Sequence, residues 1–534
     1  MSDDAPDPDP TAEKRSGTIA KRAGIVAAGT LLSRALGFAR DMVFAAVFPT
    51  GATDLFFVAF TIPNALRVLL GEGAVSAAVV PVFSEVRKTE GEEAARRYFA
   101  AFTGLMGLVL MTVSVVGVLA APALVSVYAT GYIDEPELFD QTVLLTRILF
   151  PYIFFIGLAA LGIGGLNALG RFFVPSFAPT LLNVALIVGA FTLVGPAVGL
   201  GWPPIAALAL AALVGGVAQW LIQWPSQRSA GLLRWPRFTL SDPAVKKSLR
   251  LMVPLLAGFG IYQLNTVLGR SLATFLPTGS QSYLYYGQRL VEIPQGMFAL
   301  AIAAAALPTL SNLRAEGDED AVREVFGDAL RFTLFLAIPS TVGLAVLAEP
   351  IMTVGFGRGE FDGVAEAARS LRWQALGVWA IASVRTVVPM FFAYNDTRSP
   401  VLASGVNLVV FGVTAVTMMG PFQHVGIAMA LSAAGIAQLA TLLFLLRRKV
   451  GRLGLTAVVS SAGRGLAASL LMGLVAYGIA LLGDWSTGGN DPRNIAILAA
   501  AVIGGALTFA LFAKLFRSPE LEQFVRGVRR RLGR

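Results

Sequence analysis

The sequence predicts an all-α integral membrane protein with about fourteen transmembrane helices, and three observations lead to this fold class. The 534-residue chain is 55% hydrophobic and only 14% charged, whereas soluble domains have about 25% charged residues. Its mean hydropathy is +0.70, and apolar segments long enough to cross a bilayer recur along it. Lysine and arginine gather in every second connection between these segments.

The apolar segments give the approximate bounds of the predicted helices. The second and eighth segments are too long to run straight, so we expect bends at Pro63 and at Gly71-Glu72-Gly73 in the second, and at Pro294 in the eighth. The fourteen segments lie at residues 24–48, 54–84, 98–127, 141–166, 175–197, 202–224, 248–276, 281–312, 329–348, 370–393, 400–420, 424–446, 462–482 and 494–516.

The basic residues predict the orientation of the chain. Alternate connections, counted from the N-terminus, contain lysine and arginine, whereas among the opposite connections only those at 349–372 and 483–493 contain any. The positive-inside rule therefore predicts that both termini are cytoplasmic. Since most of the net charge of +9 reflects this topology, we expect no nucleic-acid partner.

Two residue types limit the chemistry that the chain can perform. Cysteine is absent, which excludes disulfides, thiolate metal sites and cysteine nucleophiles. His424 is the single histidine, which argues against multi-histidine metal sites and proton relays. We expect His424 to be an exposed loop residue.

An internal repeat of about 228 residues predicts how the helices are grouped. The motif FPTG recurs as LPTG, PVFS as PTLS, and NALGR as NDTR, with Asn183 and Asn407 following the last pair. Six helices separate equivalent points, so we expect two parallel six-helix lobes related by a pseudo-two-fold axis along the membrane normal, with a site between them. Two additional helices follow the repeat.

These observations predict five parts of the chain. They are a disordered cytoplasmic tail at 1–22, an N-terminal six-helix lobe at 23–227, a C-terminal six-helix lobe at 228–450, two additional helices at 451–518 and a basic cytoplasmic tail at 519–534.

Several arginines lie within the predicted membrane helices, where a charge costs about 2.5–3.5 kcal/mol on insertion scales. Arg34 lies about 18 Å along the helix from Arg22, which is close to the middle of the hydrocarbon layer. The acids in the same zone are fewer, namely Asp41, Asp54, Glu72 and Glu292. The seven arginines are Arg34, Arg40, Arg67, Arg147, Arg270, Arg289 and Arg385.

An excess of arginine in a membrane cavity predicts an anionic ligand. Guanidinium groups bind phosphate oxygens through paired hydrogen bonds and stay charged at all relevant pH values. Other interpretations stay open: Arg147, Arg270 and Arg385 can snorkel to the interface, Arg289 can pair with Glu292 three residues on, and Glu72 can serve helix packing at a bend.

Long motifs of the sequence closely resemble the MviN/MurJ family. They include SRALGFARD, TDLFFVAFTIPNALRVLLGEGAVSAAVVPVFSE, LFPYIFFIGLAALGIGGLNALGRFFVPSFAPTLLN and YYGQRLVEIPQG followed by ALPTLS, and the likeness weakens only at the two tails. The family comprises bacterial lipid II flippases of the multidrug/oligosaccharidyl-lipid/polysaccharide exporter superfamily. The resemblance implies fourteen helices, with two six-helix lobes forming a V and two extra helices that line a groove for the prenyl tail.

The resemblance also implies a function and a site. The substrate would be lipid II, which is undecaprenyl-diphosphate-MurNAc-pentapeptide-GlcNAc, moved to the outer leaflet of the bacterial inner membrane for cell-wall synthesis. Membrane lipids and peptidoglycan-synthesis proteins would be its partners. The family motifs place substrate-binding arginines at Arg34, Arg40, Arg67 and Arg289, and supporting polar groups at Ser33, Asp41, Asp54 and Glu292.

The resemblance implies no cofactor and leaves the coupling ion open among sodium, proton and chloride. Some members bind sodium with acids on the seventh, eleventh and twelfth helices, but Asn265 and Asn407 stand on the seventh and eleventh here. Arg270 has no counterpart in the family motifs, so its role stays open. Alternative functions are a flippase for another polyprenyl-diphosphate glycan, a membrane glycan ligase or polymerase, and a membrane scaffold.

Overall fold

The computed structural model describes residues 10–69, 75–235, 237, 239, 241–296, 300–451 and 453–531, and the regular elements of this part are all helical. The helices of its first half are α1 Pro10–Val47, α2 Thr50–Arg67, α3 Val75–Thr89, α4 Glu92–Leu119, α5 Ala121–Tyr128, α6 Pro136–Ala168, α7 Phe173–Phe177, α8 Thr180–Thr192, α9 Val194–Gly199, α10 Ala206–Leu221, α11 Trp224–Ser229 and α12 Pro243–Ala273. Those of its second half are α13 Ser280–Pro294, α14 Leu300–Glu316, α15 Glu319–Val346, α16 Ala348–Phe356, α17 Val364–Ala375, α18 Val378–Ala393, α19 Arg398–Phe422, α20 His424–Val450, α21 Leu455–Ala480, α22 Pro492–Leu515 and α23 Pro519–Arg531.

The membrane-spanning character follows from length and composition. Within the described residues, nine helices are long and apolar enough to cross a membrane, and α17 with α18, bent by 41°, can form a tenth span. The remaining predicted segments coincide with α1, α12 and the consecutive pairs α2–α3 and α13–α14. The predicted all-α membrane fold is therefore confirmed, and the helices are consistent with a count of fourteen.

Two of the predicted spans each correspond to two helices. Helix α13 ends at Pro294 and α14 begins at Leu300, and residues 297–299 lie outside the described part, so the bend expected at Pro294 stays a prediction. Helix α2 continues through Pro63 to Arg67, and α3 begins at Val75. The Gly71-Glu72-Gly73 step lies outside the described residues.

The predicted disordered tail needs correction. Helix α1 begins at Pro10, so residues 10–22 are helical, while residues 1–9 lie outside the described part. The physical reason is that alanine, glutamate, lysine and arginine favour helix, and Pro10 suits a first helical position. This stretch also extends a helix that is already formed, so it needs no nucleation of its own.

The chain forms two compact units, each with its own core. The first comprises the described residues up to 44 with 58–128 and 133–260, and the second comprises 45–57, 129–132 and the residues from 261 onward. Buried aromatic side chains of α3 and α4, such as Phe83 and Phe102, form a core in the first unit. In the second unit Phe326, Phe391 and Leu442 pack together from α15, α18 and α20. The lobe bounds named from the sequence stay predictions.

The sequence repeat falls on equivalent elements. Helix α2 begins at Thr50 within FPTG, and α13 begins at Ser280 directly after LPTG. Pro81 lies inside α3, and its counterpart Pro308 lies inside α14. These landmarks of the sequence repeat therefore lie at corresponding points of α2 and α13 and of α3 and α14.

Candidate functional site

In the first unit, Arg40 forms the centre of a buried polar group on α1. Its Nε and one Nη donate to the same Asp41 carboxylate oxygen at 2.9 and 2.6 Å, and its other Nη donates to Asn183 Oδ1 at 3.0 Å. The Asn183 amide donates to the Ser33 carbonyl at 3.0 Å. Asn183 of α8 therefore contacts α1 at both Ser33 and Arg40. The guanidinium carbon lies 5.5 Å from the centre of the Phe44 ring. Asp41 is fully buried, and Arg40 is only 8% exposed.

The sequence marks Asn183 as a landmark of the repeat, and the structure adds it to the polar group around Arg40. Its counterpart Asn407 on α19 is bonded in a similar way, since it accepts a hydrogen bond from Asn265 on α12. Asn183 therefore joins α8 to α1 in the first unit, and Asn407 joins α19 to α12 in the second. Helices α1 and α12 are the first helices of the two repeats. The repeat position was the signal that could have identified Asn183.

Two other arginines of the first unit have different surroundings. Arg34 is exposed and has no ion pair with another described residue. Arg67 lies at the end of α2 and donates from Nε to Asn64 Oδ1 at 3.0 Å, one turn earlier. Arg147 on α6 is also exposed.

In the second unit, Arg289 lies on α13 beside an acid. It donates to Glu292 at 3.1 Å, as the spacing of three residues predicted, and the other oxygen of Glu292 accepts a hydrogen bond from Gln288 at 3.2 Å. The side chains of Arg289 and Glu292 are 33% and 45% exposed, so this pair remains accessible to a ligand.

Arg289 and Arg270 both lie near an aromatic pair. The rings of Phe57 and Tyr285 stack at 3.9 Å, with the Arg289 guanidinium 5.7 Å and the Arg270 guanidinium 5.3 Å from the centre of the Tyr285 ring. Such contacts between cations and aromatic faces are favourable by about 0.5–2 kcal/mol. The face of Tyr285 therefore helps to position both arginines.

Arg270 also joins α12 to α13. Its guanidinium donates to the backbone carbonyl of Gln281 at 2.9 Å, and the Gln281 amide donates back to the Arg270 carbonyl at 2.7 Å. These reciprocal bonds tie the last turn of α12 to the first turn of α13. The arginine whose role was open in the sequence is therefore held by hydrogen bonds within the unit.

Asp54 caps α13 from another helix. One oxygen accepts the Gly279 amide at 2.6 Å, and the other accepts the amide and the hydroxyl of Ser282 at 2.8 and 2.6 Å. Gly279 has a φ of 98°, a left-handed conformation that glycine adopts readily. A carboxylate at a helix N-terminus satisfies free amides and interacts favourably with the helix dipole.

Replacing Asp54 by alanine is expected to destabilise the second unit. The substitution leaves two backbone amides without their acceptor, and a buried unsatisfied donor costs about 1–3 kcal/mol. Purified protein should unfold at a lower temperature. The matched control is Asp362→Ala, which removes a single hydrogen bond from the Thr50 hydroxyl at 2.9 Å and should leave the unfolding temperature nearly unchanged. Equal unfolding temperatures of the two variants would argue against the capping role.

Comparison with known proteins identifies the family. The family model described as lipid II flippase MurJ matches residues 44–490. A probable lipid II flippase MurJ of Vibrio cholerae serotype O1 is 34% identical over 502 residues, which cover 92% of this chain and 95% of the relative. The lipid II flippase MurJ of Burkholderia cenocepacia is 34% identical over 501 residues, covering 91% and 94%.

The chain belongs to the MurJ family of lipid II flippases.

Solved structures agree with this membership. A lipid II flippase MurJ in an inward closed conformation has a TM-score of 0.76 at 26% identity, covering 92% of this chain and 98% of that chain. An inward-facing MATE family transporter of the MOP superfamily has a TM-score of 0.66 at 15% identity, covering 79% and 95%, and shows likeness of fold alone. This MurJ-family chain is thus an integral inner-membrane transporter and not an enzyme, which removes the ligase or polymerase alternative.

The sodium site of some MurJ-family members can be tested against the residues of α12, α19 and α20. Asn265 donates to Asn407, Asn407 donates to Gln438 at 3.0 Å, and Gln438 donates to Ser404 at 3.3 Å. Within the described residues, the Asn265 carbonyl oxygen alone among these amide oxygens lacks a partner. This set supplies no carboxylate, and we derive no step through sodium.

His424 of this MurJ-family chain is buried by helix packing. The prediction for His424 is wrong, because the histidine is the first residue of α20 and is only 3% exposed. Its Nε2 lies 3.2 Å from the Glu366 carbonyl and its ring contacts the Tyr283 ring edge, so packing against α13 and α17 buries it. Arg385 on α18 is half-buried and its guanidinium lies near Gln295.

Proposed function

We propose that this chain is a flippase that moves lipid II from the cytoplasmic to the outer leaflet of the inner membrane. One observation supports this most strongly: guanidinium groups are held by specific partners within membrane helices of a MurJ-family protein. Arg40 is held by Asp41 and Asn183, and Arg289 is held by Glu292 and the Tyr285 ring. Placing such charges in the membrane costs free energy, so their presence there indicates a function such as ligand binding.

The diphosphate of lipid II is the group that these arginines would bind. A guanidinium donates two parallel hydrogen bonds to phosphate oxygens and remains charged throughout the physiological pH range. We assign Arg34, Arg40, Arg67 and Arg289 to this role. Ser33, Asp41, Asp54 and Glu292 are assigned to support them, and the contacts of Asp41 and Glu292 with their arginines are consistent with this assignment.

Transport would proceed by alternating access, in which the arginines face first one side of the membrane and then the other. The distribution of lysine and arginine in the connections supports a cytoplasmic location of both termini under the positive-inside rule. A membrane potential that is negative inside favours outward movement of an anion by about 2.3 kcal/mol per charge per 100 mV. Peptidoglycan-synthesis proteins would then use the lipid II delivered to the outer leaflet.

Complementation tests the substrate assignment. The chain should restore growth to a bacterium depleted of its own lipid II flippase, and it should not restore glycan export to a strain depleted of an O-antigen flippase. The opposite pattern would assign the chain to another polyprenyl-diphosphate glycan, since the same arginines would bind that diphosphate.

Transport is expected to be independent of sodium. The amides of α12, α19 and α20 bind one another and provide no carboxylate for a cation. In vesicles with a fixed membrane potential, replacing sodium by potassium should leave the lipid II translocation rate unchanged within about twofold. Loss of transport in potassium would contradict this expectation and show that transport depends on sodium.

A further inference from the structure

Helix α23 has an apolar face and a basic face. Successive helix positions are 100° apart, which places Leu521, Phe524 and Val525 within one arc of about 100°. Arg526 and Arg529 lie outside this arc, and both are exposed. From residue 526 to the C-terminus the sequence contains five arginines and no acid.

The apolar face of α23 is open. Phe524 is 41% exposed and Val525 is 39% exposed, although a helix packed on a protein core would bury these side chains. Arg526 pairs with Glu522 at 3.4 Å, and both side chains are exposed. Because an exposed ion pair is weak, the Arg526 guanidinium can still interact with an anionic group. The helix therefore presents an apolar strip beside basic residues to its surroundings.

A buried acid fixes the first turn of α23 against two membrane helices. Glu520 is only 2% exposed, and its two oxygens accept hydrogen bonds from Ser461 of α21 and from Ser518, each at 2.7 Å. The Nε of Arg331 on α15 lies 3.8 Å from the same carboxylate. Burial acts to raise the pKa of Glu520, but the hydrogen bonds from Ser518 and Ser461, a backbone hydrogen bond and the charge of Arg331 together hold that pKa below its usual value.

This attachment sets the position of α23 relative to the membrane. Helix α22 is one of the nine helices able to span the bilayer, and it ends at Leu515. Four residues further along, α23 begins at Pro519, which limits the distance between the two helices to about 14 Å. Helix α23 therefore starts at the boundary between the hydrocarbon layer and the headgroups.

We propose that α23 binds the anionic headgroups of the adjacent membrane leaflet. An amphipathic helix at this boundary buries its apolar side chains among the acyl chains, while its arginines attract anionic lipids. Charge complementarity selects anionic lipid over a neutral membrane surface, and Glu520 holds the helix where this contact is possible. The inference needs only the membrane fold of the chain and is independent of the transported substrate.

The experiment uses the full chain, which contains no cysteine and so accepts a single probe. An environment-sensitive dye is attached to Val525→Cys on the apolar face or to Gln523→Cys on the polar face. The labelled proteins are reconstituted without lipid II into vesicles of phosphatidylcholine, alone or with phosphatidylglycerol. We expect the Val525→Cys emission to shift to shorter wavelength only with phosphatidylglycerol, and the Gln523→Cys emission to stay constant.

Charge neutralisation provides the control. In the Arg526→Gln/Arg529→Gln background, the ratio of bound to free α23 should fall about 30-fold, since each arginine near the surface contributes about fivefold. The matched variant Arg369→Gln/Arg372→Gln, on exposed residues of α17, should retain the shift. Identical Val525→Cys emission in both lipid compositions would overturn the proposal. Energy transfer between dyes on neighbouring copies would overturn it as well, because a second copy would then cover the apolar face.

Discussion

Replacing Arg289 by alanine is expected to abolish complementation of a bacterium depleted of its lipid II flippase, while the variant accumulates normally in the membrane. The lost guanidinium would supply two hydrogen bonds to a charged phosphate, each with a contribution of about 1.5–3 kcal/mol. Lipid II translocation should therefore fall at least about 100-fold. Arg289→Lys should also be impaired, because lysine cannot present the planar pair of donors.

The second unit offers a closely matched control for this substitution. Arg369 pairs with Glu366 at 3.0 Å with the same spacing of three residues, and its side chain is 54% exposed. Arg369→Ala should complement normally. Glu292→Gln distinguishes the roles of Arg289 further, since it removes the ion pair but keeps the guanidinium. Equal loss of function in Arg289→Ala and Glu292→Gln would indicate that Arg289 serves only the ion pair.

Arg40→Ala is expected to lose both stability and function. Asp41 is fully buried, and removing Arg40 leaves this carboxylate without the guanidinium that donates two hydrogen bonds to it. Breaking a buried ion pair in this way costs about 3–5 kcal/mol. The purified variant should unfold at a clearly lower temperature. Arg96→Ala removes an exposed pair with Glu92 at 3.1 Å and should cost less than about 1 kcal/mol.

A double substitution separates the two effects at Arg40. Arg40→Gln/Asp41→Asn removes both charges and keeps hydrogen-bonding groups beside Asn183, so much of the lost stability should return. Complementation should not return, because the Arg40 guanidinium is no longer present among the arginines assigned to the diphosphate. A stable double variant that supports growth would show that Arg40 is needed only for folding.

The sequence predicted the fold class and the helices because both depend on local composition. Apolar length predicted the spans, because a run of apolar residues long enough to cross the bilayer is visible in the sequence itself. The arginines of α1, α2 and α13 were identified because a charge in an apolar segment is unusual. The helical stretch after Pro10 was missed because its polar composition suits a disordered tail as well as a helix extended from a neighbour.

The partners of the arginines could not be predicted in the same way. The contact between Arg40 and Asn183 joins residues far apart in the sequence, and it depends on how α8 packs on α1. The stacking of Phe57 on Tyr285 and the reciprocal bonds of Arg270 with Gln281 likewise arise from helix packing. The burial of His424 has the same origin, because a residue between two apolar segments can be exposed or covered.

The most direct test of the central claim measures lipid II on the outer face of the inner membrane. Spheroplasts of a bacterium depleted of its own flippase would express this chain or its Arg289→Ala variant, and lipid II would be detected with a reagent that cannot cross the membrane. The account predicts that the chain restores outer-face lipid II and that Arg289→Ala does not. Equal amounts of outer-face lipid II in cells that express the chain, in cells that express the variant and in cells that express neither would contradict the account.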